Sequence, residues 1–129
     1  MSMDLNPEIV CFLIDLAKEF HAKEEVSFPE TSSSPSDDWA KQVLADHLDD
    51  PVYQELILTI EDLEPDQQIT LVALMWLGRG DFLLDEWGEA LEQAAAEHND
   101  RTADYLIATP LVADYWREGL NLHEYSCED

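Results

Sequence analysis

A proline preceded by a polar residue opens a predicted helix at four places, and this spacing constrains the fold more than any other feature. The pairs are Asn6–Pro7, Asp50–Pro51, Glu64–Pro65 and Thr109–Pro110. Proline fits the first turn of a helix because the N–H that it lacks has no partner there, and a polar residue before it can cap the helix. Apolar residues then recur every three or four positions, and strand-like alternation never lasts beyond a few residues. The chain is therefore predicted to be all-α.

The pattern divides the 129 residues into a single compact domain of six or seven short helices around one core. We expect an N-terminal helix within residues 1–25, a Ser/Pro-rich linker over 26–37, the helical core over 38–120 and a polar tail over 121–129. Apolar residues that we expect on the inner faces of the first three helices include Phe12, Leu44, Leu48 and Leu56.

Glycine is expected to end two of the helices, because it adopts the left-handed backbone that follows many helix ends. Gly78 and Gly80 follow the most apolar helix, and Gly119 follows the last one. The fifth helix is predicted from about Leu84 to His98, and a short sixth one over Thr102–Ala108.

Acidic residues outnumber basic ones by 30 to 6, which gives a net charge of -24. The excess is spread along the chain, with 16 acidic and 3 basic residues in 1–64 and 14 and 3 in 65–129. Such a surface repels phosphate and anionic lipid, which argues against direct binding to nucleic acid or a membrane. Three explanations of the charge stay open: solubility, adaptation to a salty cytoplasm, or imitation of phosphates on a basic site of a partner.

The two cysteines, Cys11 and Cys127, stand near opposite ends of the sequence. A single widely separated pair is not a disulfide framework, and we expect both thiols to be reduced. The acidic stretch Met1–Glu8 does not resemble a secretion signal, and the longest apolar run, Leu71–Leu77, is too short to cross a bilayer. These features predict a cytoplasmic protein.

No constellation of catalytic or metal-binding residues stands out in the sequence. The four histidines are scattered, and His47 with Asp49 and Asp50 is the nearest approach to a ligand cluster. Helix capping explains those aspartates better. Phosphate-cradling glycine loops and activated nucleophiles are also absent. We predict no metal and no cofactor, and the sequence leans away from an enzyme.

The scarce cations are more informative than the abundant anions, and Arg79 is the most notable of them. It follows the most apolar helix and precedes Asp81, so we expect it to be partly buried and paired. It is either a structural bridge or a guanidinium presented to an anionic ligand. Trp76 and Tyr105 either line a groove near it or belong to the core.

Three blocks of the C-terminal half carry a resemblance to a known family. They read LVALMWLGRGDF at 71–82, TADYL at 102–106 and TPLVADY at 109–115. Over roughly residues 55–120 the chain resembles an uncharacterised family of small, mostly proteobacterial proteins that is catalogued only as a domain of unknown function. The resemblance implies a helical bacterial protein and supplies no activity or cofactor. It also implies that Asp114, together with the residues around Arg79, belongs to a shared feature of the family.

Three functions remain as hypotheses. The first is a small acidic helical module, without catalysis, that binds a protein partner or a second copy of itself. The second is a nucleic-acid mimic that occupies a basic site on a nucleic-acid-binding protein. The third is a small-molecule binder or enzyme in which Arg79 anchors an anion and Asp81 or Asp114 acts as a base. The residues predicted to form a partner or ligand site are Trp76, Arg79, Asp81, Tyr105 and Asp114.

Overall fold

A computed structural model describes residues 5–24, 44, 47–109 and 111–127. Six α-helices and no strand occur among these residues, so the all-α prediction is confirmed. A short 3-10 turn, Leu84–Glu86, precedes the fourth helix. The helices are α1 Pro7–Glu24, α2 Pro51–Glu61, α3 Pro65–Arg79, α4 Trp87–Glu97, α5 Thr102–Ala108 and α6 Val112–Leu122.

The first three of these helices begin at the predicted cap residues. The Asn6 side chain accepts a hydrogen bond from the Glu8 amide at 2.9 Å, and Asp50 Oδ1 accepts one from the Val52 amide at 2.8 Å. At the start of α3, the Gln67 side chain accepts from the Glu64 amide at 3.0 Å. These bonds satisfy amides that have no partner within the first helical turn. The capping explanation of Asp50 is therefore confirmed.

The start of the last helix differs from the prediction. Thr109 does not cap α6, because its hydroxyl donates to the Tyr105 carbonyl at 2.7 Å, one turn back in α5. Leu111 is the residue before α6, and its φ of 62° lies in the left-handed region. Pro110 lies outside the described residues. The fifth predicted helix also begins later than expected, at Trp87, because Leu84–Glu86 forms the tighter 3-10 turn.

The predicted linker over 26–37 and most of the predicted second helix lie outside the described residues. Leu44, from that helix, is buried as expected. Leu48 was expected to face the core, but it is 55% exposed. It lies in the turn that precedes α2, where the helical spacing of the sequence no longer decides which way a side chain points.

The helix α3 occupies the centre of the fold. Eight consecutive residues, Thr70–Leu77, are buried, so α3 is covered on all sides and not along one face as its apolar spacing suggests. It packs against α4, α5 and, most extensively, α6. The helix α1 lies over α6 and α2 and contributes five buried apolar side chains to the same core. These are Val10, Leu13, Ile14, Ala17 and Phe20.

Two glycines let α3 and α6 approach more closely than any other residue would allow. A Cβ on Gly78 would lie 1.8 Å from the Tyr115 carbonyl oxygen, and one on Gly119 would lie 2.6 Å from the Leu74 carbonyl oxygen. Both glycines lie inside their helices, so the prediction that they end them is wrong. Only Gly80 ends a helix, with a φ of 94° at the end of α3.

The two cysteines form a disulfide, which corrects the expectation of free thiols. Cys11 on α1 and Cys127 beyond α6 have Cα atoms 5.6 Å apart despite a sequence separation of 116. The packing of α1 on α6 brings the region around Cys11 close to the segment that follows α6, and a sequence pattern cannot show this. Searched for long apolar helices, the described part of the chain holds none that could cross a membrane.

Candidate functional site

The turn after α3 places Asp81 against Arg79. Gly80 adopts the left-handed backbone, and the Asp81 amide then donates back to the Trp76 carbonyl at 2.9 Å. This reversal brings Asp81 Oδ2 to 2.9 Å from Arg79 Nε and 2.7 Å from Arg79 Nη2. The predicted pairing of Arg79 with Asp81 is confirmed.

Tyr105 on α5 extends this pair into the core. Its hydroxyl accepts a hydrogen bond from Trp76 Nε1 at 3.0 Å, and both rings are buried. The Arg79 guanidinium also contacts the Tyr105 hydroxyl. Trp76, Arg79, Asp81 and Tyr105 therefore form one connected set, which we call the Arg79 network.

Charge within the Arg79 network is compensated inside the chain. Burial alone would lower the pKa of Arg79, but the Asp81 carboxylate and the Tyr105 hydroxyl outweigh it and the pKa is raised. Burial raises the pKa of Tyr105, although the Trp76 and Arg79 donors oppose it. The network therefore holds a charged guanidinium and a neutral phenol.

The Arg79 guanidinium forms an ion pair with Asp81, which lies only two residues further along the chain. An anionic ligand would have to displace a carboxylate held at 2.7 Å, and it would leave Asp81 without its cation. The same geometry joins the end of α3 to α5. It therefore favours the structural bridge over the anion anchor.

Asp114 stands apart from the Arg79 network. It lies exposed in the first turn of α6 and makes no hydrogen bond or ion pair with the network among the described residues. A carboxylate in the first turn stabilises a helix by facing its partly positive end. This gives Asp114 a structural role that the sequence did not reveal.

Several other aromatic and histidine side chains among the described residues are used in packing. The edge of the His123 ring lies against Trp87 with centroids 4.4 Å apart, and Trp116 Nε1 donates to the Leu71 carbonyl at 3.1 Å. His21 Nε2 lies 3.0 Å from the Ile107 carbonyl, and burial lowers its pKa. Within the described ranges, no three His, Cys, Asp or Glu side chains are grouped closely enough to hold a metal ion.

A groove between α1 and α2 is the candidate site that the sequence did not indicate. It is an open depression of about 580 Å³ that is lined mainly by apolar side chains. Two of these are large and exposed: Phe12 at 44% and Leu58 at 65%. Helical spacing had predicted Phe12 for the core, and this prediction is wrong because Phe12 lies beyond the edge of the buried face of α1. We call this surface the α1–α2 groove, and its lining residues are Glu8, Ile9, Phe12, Leu58, Thr59, Asp62 and Leu63.

Two carboxylates line the α1–α2 groove, and further acidic residues lie elsewhere on the same two helices. Glu8 and Asp62 belong to its lining, and both are exposed. Asp15 and Glu19 on α1 and Glu55 and Glu61 on α2 are also exposed, and Lys18 is the single exposed cation in the described part of these two helices. The groove therefore combines apolar side chains with two carboxylates, Glu8 and Asp62.

Comparison with known proteins adds a family and no activity. Neither the curated proteins nor the solved structures gave a match to this chain. Residues 53–125 match the family described as a protein of unknown function, DUF3775. The matched stretch contains the Arg79 network and the α2 side of the groove, whereas α1 and both cysteines lie outside it. Because the match covers more than half of the chain, the chain belongs to the DUF3775 family of proteins of unknown function.

Proposed function

We propose that this protein is an acidic protein-binding module, without catalysis, that holds a basic amphipathic helix of its partner in the α1–α2 groove. One observation carries the proposal: Phe12 and Leu58 stand exposed at a groove whose border is acidic. Exposed apolar surface that is concave and edged by charge is typical of binding sites.

The volume of the groove suits side chains of a partner. It is an open depression of about 580 Å³, and ligand pockets occupy roughly 300–1,000 Å³. Apolar side chains on one face of a partner helix would enter between α1 and α2 and cover Phe12 and Leu58. Helix-in-groove recognition of this kind places the partner's anchors three or four residues apart.

Charge determines which partner fits. Lys and Arg beside the apolar anchors would meet Glu8 and Asp62, and the net charge of -24 would steer such a partner from a distance. A second copy of this chain would bring the same negative charge to the groove. Charge complementarity therefore favours a basic partner over a homodimer.

Binding of a designed peptide tests the proposal. The probe is a fluorescein-labelled 18-residue helix of Leu and Lys with its leucines along one face. We expect Phe12→Ser combined with Leu58→Ser to weaken its Kd about tenfold or more, because burying one large apolar side chain contributes roughly 1.5–3 kcal/mol and 1.4 kcal/mol is tenfold. Fluorescence anisotropy in 0.15 M salt provides the measurement.

The matched control removes equal apolar surface elsewhere. Leu83 and Leu122 are 65% and 39% exposed and do not line the groove. Leu83→Ser combined with Leu122→Ser should leave the Kd within about twofold. A peptide of the same composition without an apolar face should bind at least tenfold more weakly. Equal losses in the two double variants, or no binding of either peptide, would contradict the proposal.

Nucleic-acid mimicry remains the second candidate, and the charge of -24 is the observation that favours it. Mimicry predicts binding through carboxylates alone, so Phe12→Ser with Leu58→Ser would have no effect and the salt dependence would be steep. Glu8→Gln with Asp62→Asn compares the groove border with a remote pair, Glu92→Gln with Asp100→Asn. Groove binding predicts that only the first pair of substitutions, Glu8→Gln with Asp62→Asn, weakens binding of the peptide.

A further inference from the structure

The disulfide joins α1 to a short segment beyond α6 that is not helical. Cys11 lies in α1, whose buried residues Val10, Leu13 and Ile14 flank it in the core. Cys127 ends a segment, residues 123–127, that follows α6 and is not helical. Both cysteines are partly buried. The disulfide therefore attaches a short non-helical segment to a helix that buried side chains already anchor.

The backbone of this segment turns back through a costly conformation. Glu124 has a φ of 67°, in the left-handed region where glycine is usual. Its amide donates to the Asn121 carbonyl at 2.9 Å, and the Tyr125 amide donates to the Leu120 carbonyl at 2.9 Å. These two bonds form the reversal that follows many helices. A non-glycine residue keeps this backbone only where neighbouring contacts hold it.

Two side chains of the segment add to those contacts. His123 is buried with its ring against Trp87, and Tyr125 packs partly buried against the core. The covalent link at Cys127 comes last in this series and fixes the position of the segment along α1. Opening that link removes the restraint at the end of the segment while the buried face of α1 stays in place.

We propose that Cys11–Cys127 is a reversible redox clasp, which a dithiol reductant opens and which then releases residues 123–127 from α1. A thiolate of the reductant attacks one sulfur and forms a mixed disulfide, while the other cysteine leaves as a thiolate. The second thiol of the reductant then attacks the reductant's sulfur in the mixed disulfide and displaces the cysteine that was attacked. Two electrons and two protons pass to the protein, which leaves with two thiols, and the reductant becomes a disulfide. The proposal does not depend on peptide binding in the α1–α2 groove.

Hydrogen exchange of the full chain tests the clasp, with the oxidised protein compared with the protein in excess dithiothreitol. Reduction should raise the amide exchange of residues 123–127 at least tenfold more than that of Leu13, Ile14 and Ala17, because core amides exchange faster only by the factor that the lost global stability sets. The Tm should fall by about 10 °C or more, since a disulfide that closes so long a loop strongly restrains the unfolded chain. When dithiothreitol is replaced by a thiol–disulfide exchange buffer, the slow amide exchange of residues 123–127 and the higher Tm should both return.

Two variants separate the clasp from general damage. Cys127→Ser should reproduce the exchange pattern and the Tm of the reduced protein, and dithiothreitol should then change neither. Ser126→Cys in the Cys127→Ser background offers a thiol one residue away, and it should not restore the oxidised Tm.

Three results would overturn the proposal. The first is two free thiols, by thiol titration, in protein that is purified without reductant and exposed to air. The second is a disulfide that dithiothreitol reduces only in denaturant, because such a bond is a permanent staple. The third is reduction that changes exchange equally throughout the protein.

Discussion

The Arg79 network and the α1–α2 groove differ in whether their side chains find partners inside the chain. In the network, Trp76 donates to Tyr105 and Arg79 pairs with Asp81 at 2.7 Å. In the groove, Phe12 and Leu58 leave 44% and 65% of their surface in solvent. A self-satisfied polar set stabilises a fold, whereas exposed apolar surface gains free energy only when something covers it. This difference favours a structural role for the first region and supports the binding that we propose for the second.

The largest loss of stability is expected from a substitution in the interior of the protein, at Gly78. Gly78→Ala places a Cβ 1.8 Å from the Tyr115 carbonyl oxygen, so α3 and α6 must separate. We expect a loss of about 3 kcal/mol or more in the free energy of unfolding, because main-chain atoms cannot yield as a side chain can. Urea denaturation measures the loss. Gly88→Ala is the control, since a Cβ at Gly88 has nothing within 4 Å. Equal stability of both variants would contradict the close crossing.

A smaller loss of stability is expected from a substitution in the Arg79 network. Tyr105→Phe removes the hydroxyl that accepts from Trp76 Nε1 and contacts Arg79, and it leaves a buried indole N–H unsatisfied. We expect a loss of about 1–3 kcal/mol in the free energy of unfolding and an unchanged Kd for the amphipathic peptide. Tyr125→Phe, at a partly buried ring outside the network, provides the control for losing a phenol. If Tyr105→Phe weakened peptide binding and left the free energy of unfolding unchanged, the Arg79 network would be a binding site and not a structural element.

Much of the fold could be predicted from local chemistry. Asn6, Asp50 and Glu64 begin helices because their caps depend on residues within one turn of the chain. The pairing of Arg79 with Asp81 is also local, since Gly80 alone creates the turn between them. The family resemblance is confirmed in the same region, over residues 53–125.

The parts that the sequence did not reveal depend on how distant elements pack. Gly78 and Gly119 resemble helix ends until the crossing of α3 and α6 shows that each faces a backbone carbonyl. Cys11 and Cys127 meet only because α1 lies on α6. Phe12 has the spacing of a core residue, and only the width of the buried face of α1 leaves it outside. Spacing within one helix records which residues share a side, but the neighbours decide how wide that side is.

Nuclear magnetic resonance mapping on the ¹⁵N-labelled protein shows directly whether the peptide binds in the α1–α2 groove. Groove binding predicts that the largest changes in amide chemical shift occur in α1 and α2, around Ile9, Phe12, Leu58 and Leu63. It also predicts that the amides of Arg79, Asp81 and Tyr105 are unchanged and that Phe12→Ser with Leu58→Ser weakens the peptide binding that causes the shift changes about tenfold or more. Shift changes centred on Arg79 and Tyr105, with α1 unaffected, would contradict the assignment of binding to the α1–α2 groove.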